Sequence, residues 1–178
     1  EYKLKIIGEK DNFRTGANIE ELSADGVIFT GRLSDGELKA YLLAADIFCF
    51  PSVTKNEAFG LALAEAMYYG LPAITFTVEG SGVNYVSLDG VTGIEVKNGD
   101  DKAFAAAIKT LGENETLRRE YGENARERAV KLFSKDVFCK NVKALLFDLA
   151  GAADSKTGDS KAGDGISGDS RADGKTGE

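Results

Sequence analysis

Short apolar runs alternate with amphipathic segments along most of the chain. Each run has the length and composition of a buried parallel strand, and these predicted strands are Tyr2–Gly8, Val27–Thr30, Asp46–Phe50, Pro72–Phe76 and Gly93–Val96. Apolar residues at helical spacing predict helices between and after them, at Asp35–Ala45 behind a Ser34 cap, Gly60–Tyr69 ending at Gly70, and Asp101–Leu111. Strands that alternate with helices predict an α/β fold with a Rossmann-like, doubly wound parallel sheet.

The C-terminal part of the chain has a different pattern. Two amphipathic segments, Glu115–Phe133 and Asp136–Leu149, predict helices with charged outer faces. From Gly151 onwards the composition changes to Gly, Asp, Ser, Lys and Ala, and Ile166 is the single large aliphatic residue. Such a segment cannot bury enough apolar surface to offset its ordering entropy. We therefore predict a globular domain over residues 1–150 and a disordered, low-complexity tail over residues 151–178.

Composition and charge exclude several classes of function. The chain carries 29 acidic and 22 basic residues, and the basic residues are scattered, so no surface for nucleic acid is indicated. It has no histidine, and Cys49 and Cys139 lie in apolar or amphipathic segments, which predicts buried, reduced and inert thiols. No apolar run approaches the roughly 18 to 20 residues that span a bilayer. We expect a soluble, cytoplasmic chain.

The loop after the strand Asp46–Phe50 is the first place to look for a ligand, because ligands of open parallel sheets bind at the carboxyl ends of the strands. Glu57 lies in this loop just before a helix, and Glu65 lies inside that helix. Gly60 has no side chain, so a diphosphate can approach the N–H groups of the helix start. Each glutamate could accept hydrogen bonds from sugar hydroxyls. The open alternative is a favourable dipole contact and a solvated helix face.

The segment Phe50–Pro72, FPSVTKNEAFGLALAEAMYYGLP, closely resembles the E-x7-E segment of retaining GT-B glycosyltransferases. That family includes sucrose synthases and many bacterial polysaccharide-assembly enzymes. The resemblance continues upstream through FTGRLSDGELKAYLLAADIFCFPS and downstream through SLDGVTGIEVKNGD, and covers about Tyr2–Leu149. It implies that the chain is the C-terminal, nucleotide-sugar-binding half of a GT-B fold.

The resemblance also implies roles for individual residues. Glu57 would contact the hydroxyls of the donor sugar, as the candidate catalytic residue, and Glu65 would contact the ribose. The sugar and diphosphate would be contacted by the backbone of Phe59, Gly60 and Leu61. The base would lie beside the loop formed by Gly31, Arg32 and Leu33. For Arg32, an ordinary surface position is the open alternative.

The sequence departs from the family pattern in two places. Many relatives have a glutamate after the fourth of these strands, where this chain has Asn84 and Tyr85. The family's diphosphate-binding Arg and Lys precede the strand at which this chain begins, so the first strand and helix of the domain are expected to be missing. Lys55 is the nearby basic residue, and we expect it to be exposed. The implied N-terminal half would bind the acceptor and make any peripheral membrane contact, and this chain alone is expected to be inactive.

The resemblance therefore predicts transfer of a hexose from a nucleoside diphosphate sugar to a hydroxyl acceptor with retention of configuration, in bacterial polysaccharide or glycolipid assembly. No cofactor and no metal are expected, since no D-x-D pair precedes the predicted cleft. Two alternatives stay open: a non-catalytic nucleotide-sugar-binding subunit, and a nucleotide-sugar epimerase or hydrolase built on the same fold. The sequence does not identify the base, the hexose or the acceptor.

Overall fold

The computed structural model describes residues 2–8 and 26–157, with side chains described as far as residue 149. Strands and helices alternate as the hydrophobic pattern predicts. The strands are β1 (Leu4–Ile7), β2 (Val27–Gly31), β3 (Phe48–Phe50), β4 (Ala73–Phe76) and β5 (Gly93–Val96). The helices are α1 (Asp35–Ala44), α2 (Leu61–Tyr68), α3 (Val83–Val86), α4 (Asp101–Glu113), α5 (Glu115–Phe133) and α6 (Lys135–Thr157).

All the strand pairs are parallel, which confirms the predicted fold class. Among the described residues the strands form two sheets, one of β1 and β2 and one in the order β3-β4-β5. Every residue of β4 is buried, as expected for the central strand of a sheet covered on both faces. Parallel pairing brings the carboxyl ends of β3, β4 and β5 to one edge, and the loop that contains Glu57 begins there.

Local hydrogen bonds explain where two of the helices begin and end. Ser34 caps α1 as predicted, and the N–H of Glu37 donates to its hydroxyl oxygen while the Glu37 carboxylate accepts from Ser34 in return. Hydrogen bonds from the Ser34 hydroxyl and N–H hold the pKa of Glu37 below its usual value. At the end of α2, Gly70 has a φ of 83° and donates its N–H to the carbonyl oxygen of Met67. The chain turns there because glycine adopts this conformation without strain.

The core has a layer on each side of β4. Ala73 faces the main core cluster, which consists of buried residues from α2, α3 and α5, namely Leu63, Met67, Val83, Val86, Ala125 and Ala129. The next residue, Ile74, faces the opposite layer with Ala107 and Leu111 of α4. A Cβ atom on Gly122 of α5 would collide with the carbonyl oxygen of Gly70, so α5 lies close against the end of α2. Helix α2 is therefore fixed between the sheet and α5.

Three features differ from the prediction. The four-residue helix α3 was not predicted. Helix α6 continues to Thr157, past the boundary predicted at residue 150, whereas the rest of the predicted tail, residues 158–178, lies outside the described residues. Cys139 is exposed on α6, in contrast to the buried thiol that its amphipathic segment predicted.

The described residues from Lys135 to Thr157 fall in a unit separate from the one that ends at Ser134. Helix α6, which belongs to this unit, exposes the large apolar side chains Phe138, Leu145, Leu146, Phe147 and Leu149. None of the helices in the described ranges, 26–157, is long and apolar enough to cross a membrane.

Candidate functional site

The loop between β3 and α2 runs from Pro51 to Gly60 along the edge where the parallel strands end. It is held by hydrogen bonds inside and outside the loop. The N–H of Glu57 donates to the carbonyl oxygen of Thr54 over 3.3 Å. From the loop after β5, Asn98 Nδ2 donates to the carbonyl oxygen of Val53 over 3.0 Å. The segment that precedes α2 is therefore an ordered part of this edge.

Glu57 has a defined orientation. Its Oε1 accepts the backbone N–H of Gly60 at 2.9 Å, and its carbonyl oxygen accepts the hydroxyl of Ser81. The side chain is half-buried, and no described residue makes a hydrogen bond or ion pair with its Oε2. One carboxylate oxygen thus fixes the side chain and the other stays able to accept a hydrogen bond.

The start of α2 provides unpaired hydrogen-bond donors. Gly60 precedes the helix in a left-handed conformation, with a φ of 88° and a ψ of 59°. Its own N–H donates to Glu57, so the N–H groups that stay open to a diphosphate in this conformation are those that follow Gly60, and the predicted backbone contacts of Phe59, Gly60 and Leu61 stay a prediction. The N–H groups of the next three residues donate to no described residue, as is usual for a first helical turn: Leu61, Ala62 and Leu63. These groups, with the positive end of the helix dipole, can attract an anion.

Leu61 and Glu65 lie one turn apart on the exposed face of α2. Leu61 is 78% exposed although it is a large apolar residue, and Glu65 is also exposed. The Glu65 carboxylate makes no hydrogen bond or ion pair in the part of the chain that the structure describes. Helical side chains lean toward the N-terminus, which favours a Glu65 side chain directed toward the start of α2. Glu57 precedes the helix and Glu65 lies one turn inside it, and their roles toward a sugar and a ribose stay predictions.

Phe59 has a structural side chain. Its ring packs edge to face on Phe133 of α5, with the ring centroids 5.3 Å apart, and it contacts the main core cluster. Only its main chain is left for a ligand, which is the role that the sequence analysis gave it.

The residues predicted for the base lie apart from this loop in the hydrogen-bond network. Gly31 ends β2 in the other sheet with a φ of 68°, and its carbonyl oxygen accepts the N–H of Gly8 at 3.1 Å. Arg32 is exposed and Leu33 is half-buried. No hydrogen bond between described residues joins Gly31, Arg32 or Leu33 to the loop before α2. Their role in holding a base stays a prediction.

The sequence analysis named Asn84 and Tyr85 in the loop after β4 but did not predict that this loop bonds to the loop before α2. The N–H of Gly82 donates to the carbonyl oxygen of Ala58 over 2.9 Å, beside the bond from Ser81 to Glu57. Asn84 accepts the N–H of Val78 at 2.8 Å and donates to the carbonyl oxygen of Phe76. Asn84 therefore braces this loop. The signal in the sequence was the Gly80-Ser81-Gly82 run directly after a predicted strand end.

An open depression of about 470 Å³ lies at the loop between β5 and α4, and none of the predicted site residues lines it. Its lining consists of Lys97, Asn98, Gly99, Asp100, Asp101 and Lys102. Because Asn98 also bonds to Val53, this depression adjoins the loop before α2. Lys55 is exposed, as predicted.

Comparison with known proteins gives one family and consistent relatives. The model of the family "Glycosyl transferases group 1" matches residues 1–128. The D-rhamnosyltransferase WbpZ of Pseudomonas aeruginosa is 35% identical over 118 residues, which are 66% of this chain and 31% of that protein. The O-antigen chain mannosyltransferase C of Escherichia coli is 31% identical over 117 residues, 66% of this chain and 31% of that protein. The chain thus spans about a third of the length of these relatives.

Solved structures agree on the fold. Sucrose-phosphate synthase from Thermosynechococcus elongatus superposes with a TM-score of 0.71 at 30% identity, covering 84% of this chain and 39% of that one. Anabaena HepE, solved in complex with UDP-glucose, superposes with a TM-score of 0.69 at 21% identity, covering 82% of this chain and 41% of that one. At that identity the second likeness concerns the fold alone.

Proposed function

The chain belongs to the family of glycosyl transferases group 1, and we propose that it is the donor-binding half of a retaining glycosyltransferase. The complete protein would move a hexose from a nucleoside diphosphate sugar to a hydroxyl acceptor, in the assembly of a bacterial polysaccharide or glycolipid. Relatives named as a rhamnosyltransferase and an O-antigen mannosyltransferase support this substrate class.

The observation that carries the proposal is the arrangement at the start of α2. A carboxylate oxygen of Glu57 lies on one side of the Gly60 turn, and on the other lie the N–H groups of Leu61 to Leu63, which donate to no residue that the structure describes. This arrangement suits a ligand with hydroxyl groups next to a negative charge, which describes a sugar joined to a diphosphate. We assign Glu57 to the sugar hydroxyls, Glu65 to the ribose, and the backbone of Phe59, Gly60 and Leu61 to the sugar and diphosphate.

In the reaction, the bond between the anomeric carbon and the diphosphate oxygen would break, and a bond to the acceptor oxygen would form on the same face of the sugar. The acceptor hydroxyl would give its proton to a base in the acceptor-binding half. The N–H groups and dipole of α2 would stabilise the negative charge that develops on the leaving diphosphate. In this proposal these groups act without a metal ion. The acceptor, and any peripheral membrane contact, belong to the part of the enzyme that this chain does not contain, and the cytoplasm is the expected compartment.

The test is calorimetric titration of the complete polypeptide with UDP, GDP and ADP and with their glucose and mannose conjugates. Saturable binding of one nucleotide, tightened by its sugar, is expected, together with transfer when an acceptor is added. Binding without transfer to any acceptor would favour a nucleotide-sugar-binding subunit. Conversion of the sugar without an acceptor would favour an epimerase or hydrolase, and no binding by any of these ligands would overturn the proposal.

A further inference from the structure

The loop after β4 holds the backbone of the loop that contains Glu57. The Ser81 hydroxyl donates to the carbonyl oxygen of Glu57, and the N–H of Gly82 donates to the carbonyl oxygen of Ala58. Two successive carbonyl groups are therefore fixed by two successive residues. Ser81 Oγ also accepts the N–H of Val83 at 3.2 Å, which orients the hydroxyl group toward Glu57.

Gly82 allows this close approach for a steric reason. Its φ of −75° is ordinary, so the conformation does not require glycine. A Cβ atom at this position would instead collide with the carbonyl oxygen of Ala58 and lie 3.0 Å from the Cα of Phe59. Any side chain at residue 82 would push the two loops apart.

The loop that carries Ser81 is itself anchored at its other end. Val83 and Val86 of α3 are buried in the main core cluster. Arg128 of α5 donates to the carbonyl oxygens of Tyr85 and Val86, at 2.6 and 3.0 Å, and its guanidinium lies over the Tyr85 ring. Helix α3 is thus a short, fixed connection between α5 and the loop before α2, although four residues alone make a marginal helix.

From this geometry we infer that Ser81 is a positioning residue for Glu57, with Gly82 providing the close approach that its hydrogen bond needs. This inference rests on the proposed function of Glu57. The Glu57 main chain has one other hydrogen bond, the 3.3 Å bond from its N–H to Thr54. Without the Ser81 hydroxyl, the peptide between Glu57 and Ala58 loses a partner, and the main chain that carries the Glu57 carboxylate is held less firmly. Ser81 then acts through Glu57 and does not itself touch the donor.

The test compares Ser81→Ala with Thr77→Val in the complete polypeptide. Thr77 directly follows β4, and its hydroxyl likewise donates to a carbonyl oxygen, that of Val96. Among the described residues, it makes no hydrogen bond to the loop that contains Glu57. The measurement is the ratio of dissociation constants for the nucleoside diphosphate and for its sugar conjugate. Losing one hydrogen bond should reduce the preference for the sugar conjugate about threefold to tenfold in Ser81→Ala. Thr77→Val should leave it unchanged, and Ser81→Thr should restore it.

A double substitution tests whether Ser81 affects donor binding through Glu57. If Ser81 acts through Glu57, adding Ser81→Ala to Glu57→Gln lowers the preference for the sugar conjugate no further. Gly82→Ala supplies a second variant with the same expected loss, should Ser81→Ala unfold. The inference is overturned if Ser81→Ala and Thr77→Val behave alike, or if the two substitutions act additively. Failure of the proposed function gives a different result: Glu57→Gln alone would then leave the preference for the sugar conjugate unchanged.

Discussion

Glu57 Oε1 accepts the N–H of Gly60 at 2.9 Å, three residues further along the chain. This bond places the carboxylate beside the start of α2, and no described residue bonds to its second oxygen. It also satisfies a backbone donor of a buried glycine, which would otherwise lack a partner. One glutamate thus orders the turn and offers an acceptor to a ligand.

Glu57→Gln separates these two roles. A glutamine can still accept the Gly60 N–H, but it removes the charge and one acceptor oxygen. Losing a charge-assisted hydrogen bond worth about 1.5 to 3 kcal/mol should weaken binding of the sugar conjugate about tenfold to a hundredfold. Calorimetry should show the affinity for the nucleoside diphosphate alone unchanged. Glu79→Gln, at an exposed glutamate of a neighbouring loop, is the matched control. Equal losses for both ligands would contradict the assignment of Glu57 to the sugar.

Glu65→Gln should affect both ligands. If Glu65 contacts the ribose, the nucleoside diphosphate and its sugar conjugate lose affinity by the same factor, about tenfold or more. Glu123→Gln on α5 removes an exposed helical glutamate outside the site and should change neither affinity. A loss confined to the sugar conjugate would reassign Glu65 to the sugar.

Gly60→Ala should destabilise the protein through its backbone. A Cβ atom at this position has ordinary contacts, the nearest to Leu63 at 3.4 Å, but the φ of 88° is unfavourable for alanine. We expect a loss of about 1 to 2 kcal/mol in the free energy of unfolding, measured by urea titration. Gly60→Asn should cost less, because asparagine tolerates this region.

A control of opposite sign is available in α1. Gly36 lies in that helix, and a Cβ atom added there would meet no described atom within 4 Å, so Gly36→Ala should stabilise the protein by about 0.5 to 1 kcal/mol. If Gly60→Ala also stabilised the protein, that result would contradict the left-handed conformation of Gly60 before α2.

The two thiols should differ in reactivity. Burial raises the pKa of Cys49 from 9.0 to about 11, whereas Cys139 is exposed. At pH 8 a disulfide reagent should therefore modify Cys139 quickly and the half-buried Cys49 much more slowly. Cys139→Ser is the control that removes the fast phase.

The raised pKa of Cys49 also predicts a dependence of stability on pH. The unfolded thiol ionises near its ordinary pKa of 9.0 and the folded one near 11, so between these values the folded protein binds more protons. The contribution of Cys49 to stability is complete below about pH 9 and falls as the pH rises to about 11. In Cys49→Ala, the free energy of unfolding should no longer show this decrease between about pH 9 and 11. Denaturant titrations over that pH range measure it.

Periodicity and strand composition predicted most of the fold. The bounds of α5 and β5 match the prediction, because each has a clear pattern and a clear stop. Helix α3 was missed since four residues show no period, and its stability comes from burial of Val83 and Val86 and from Arg128. Such tertiary support leaves no local signal in the sequence.

At the site, the motif predicted which residues gather at α2 but not how they bond. The backbone around Gly60 was expected to contact the sugar and diphosphate, and in the structure the Gly60 N–H has the carboxylate of Glu57 as its partner. Residue spacing alone does not determine which acceptor the Gly60 N–H bonds to, because the choice depends on the conformation of the loop. The hydrogen bonds from Ser81 and Gly82 join two loops that are more than 20 residues apart in sequence. A single sequence does not show which distant segments come into contact.

The edge-to-face contact between Phe59 and Phe133 offers an optical reporter. The sequence has no tryptophan, so Phe133→Trp would introduce a single indole next to the ring that precedes Gly60. Indole emission responds to the polarity and packing of its surroundings. Its wavelength and intensity would then follow any rearrangement of the loop before α2 in real time, without a label attached to the ligand.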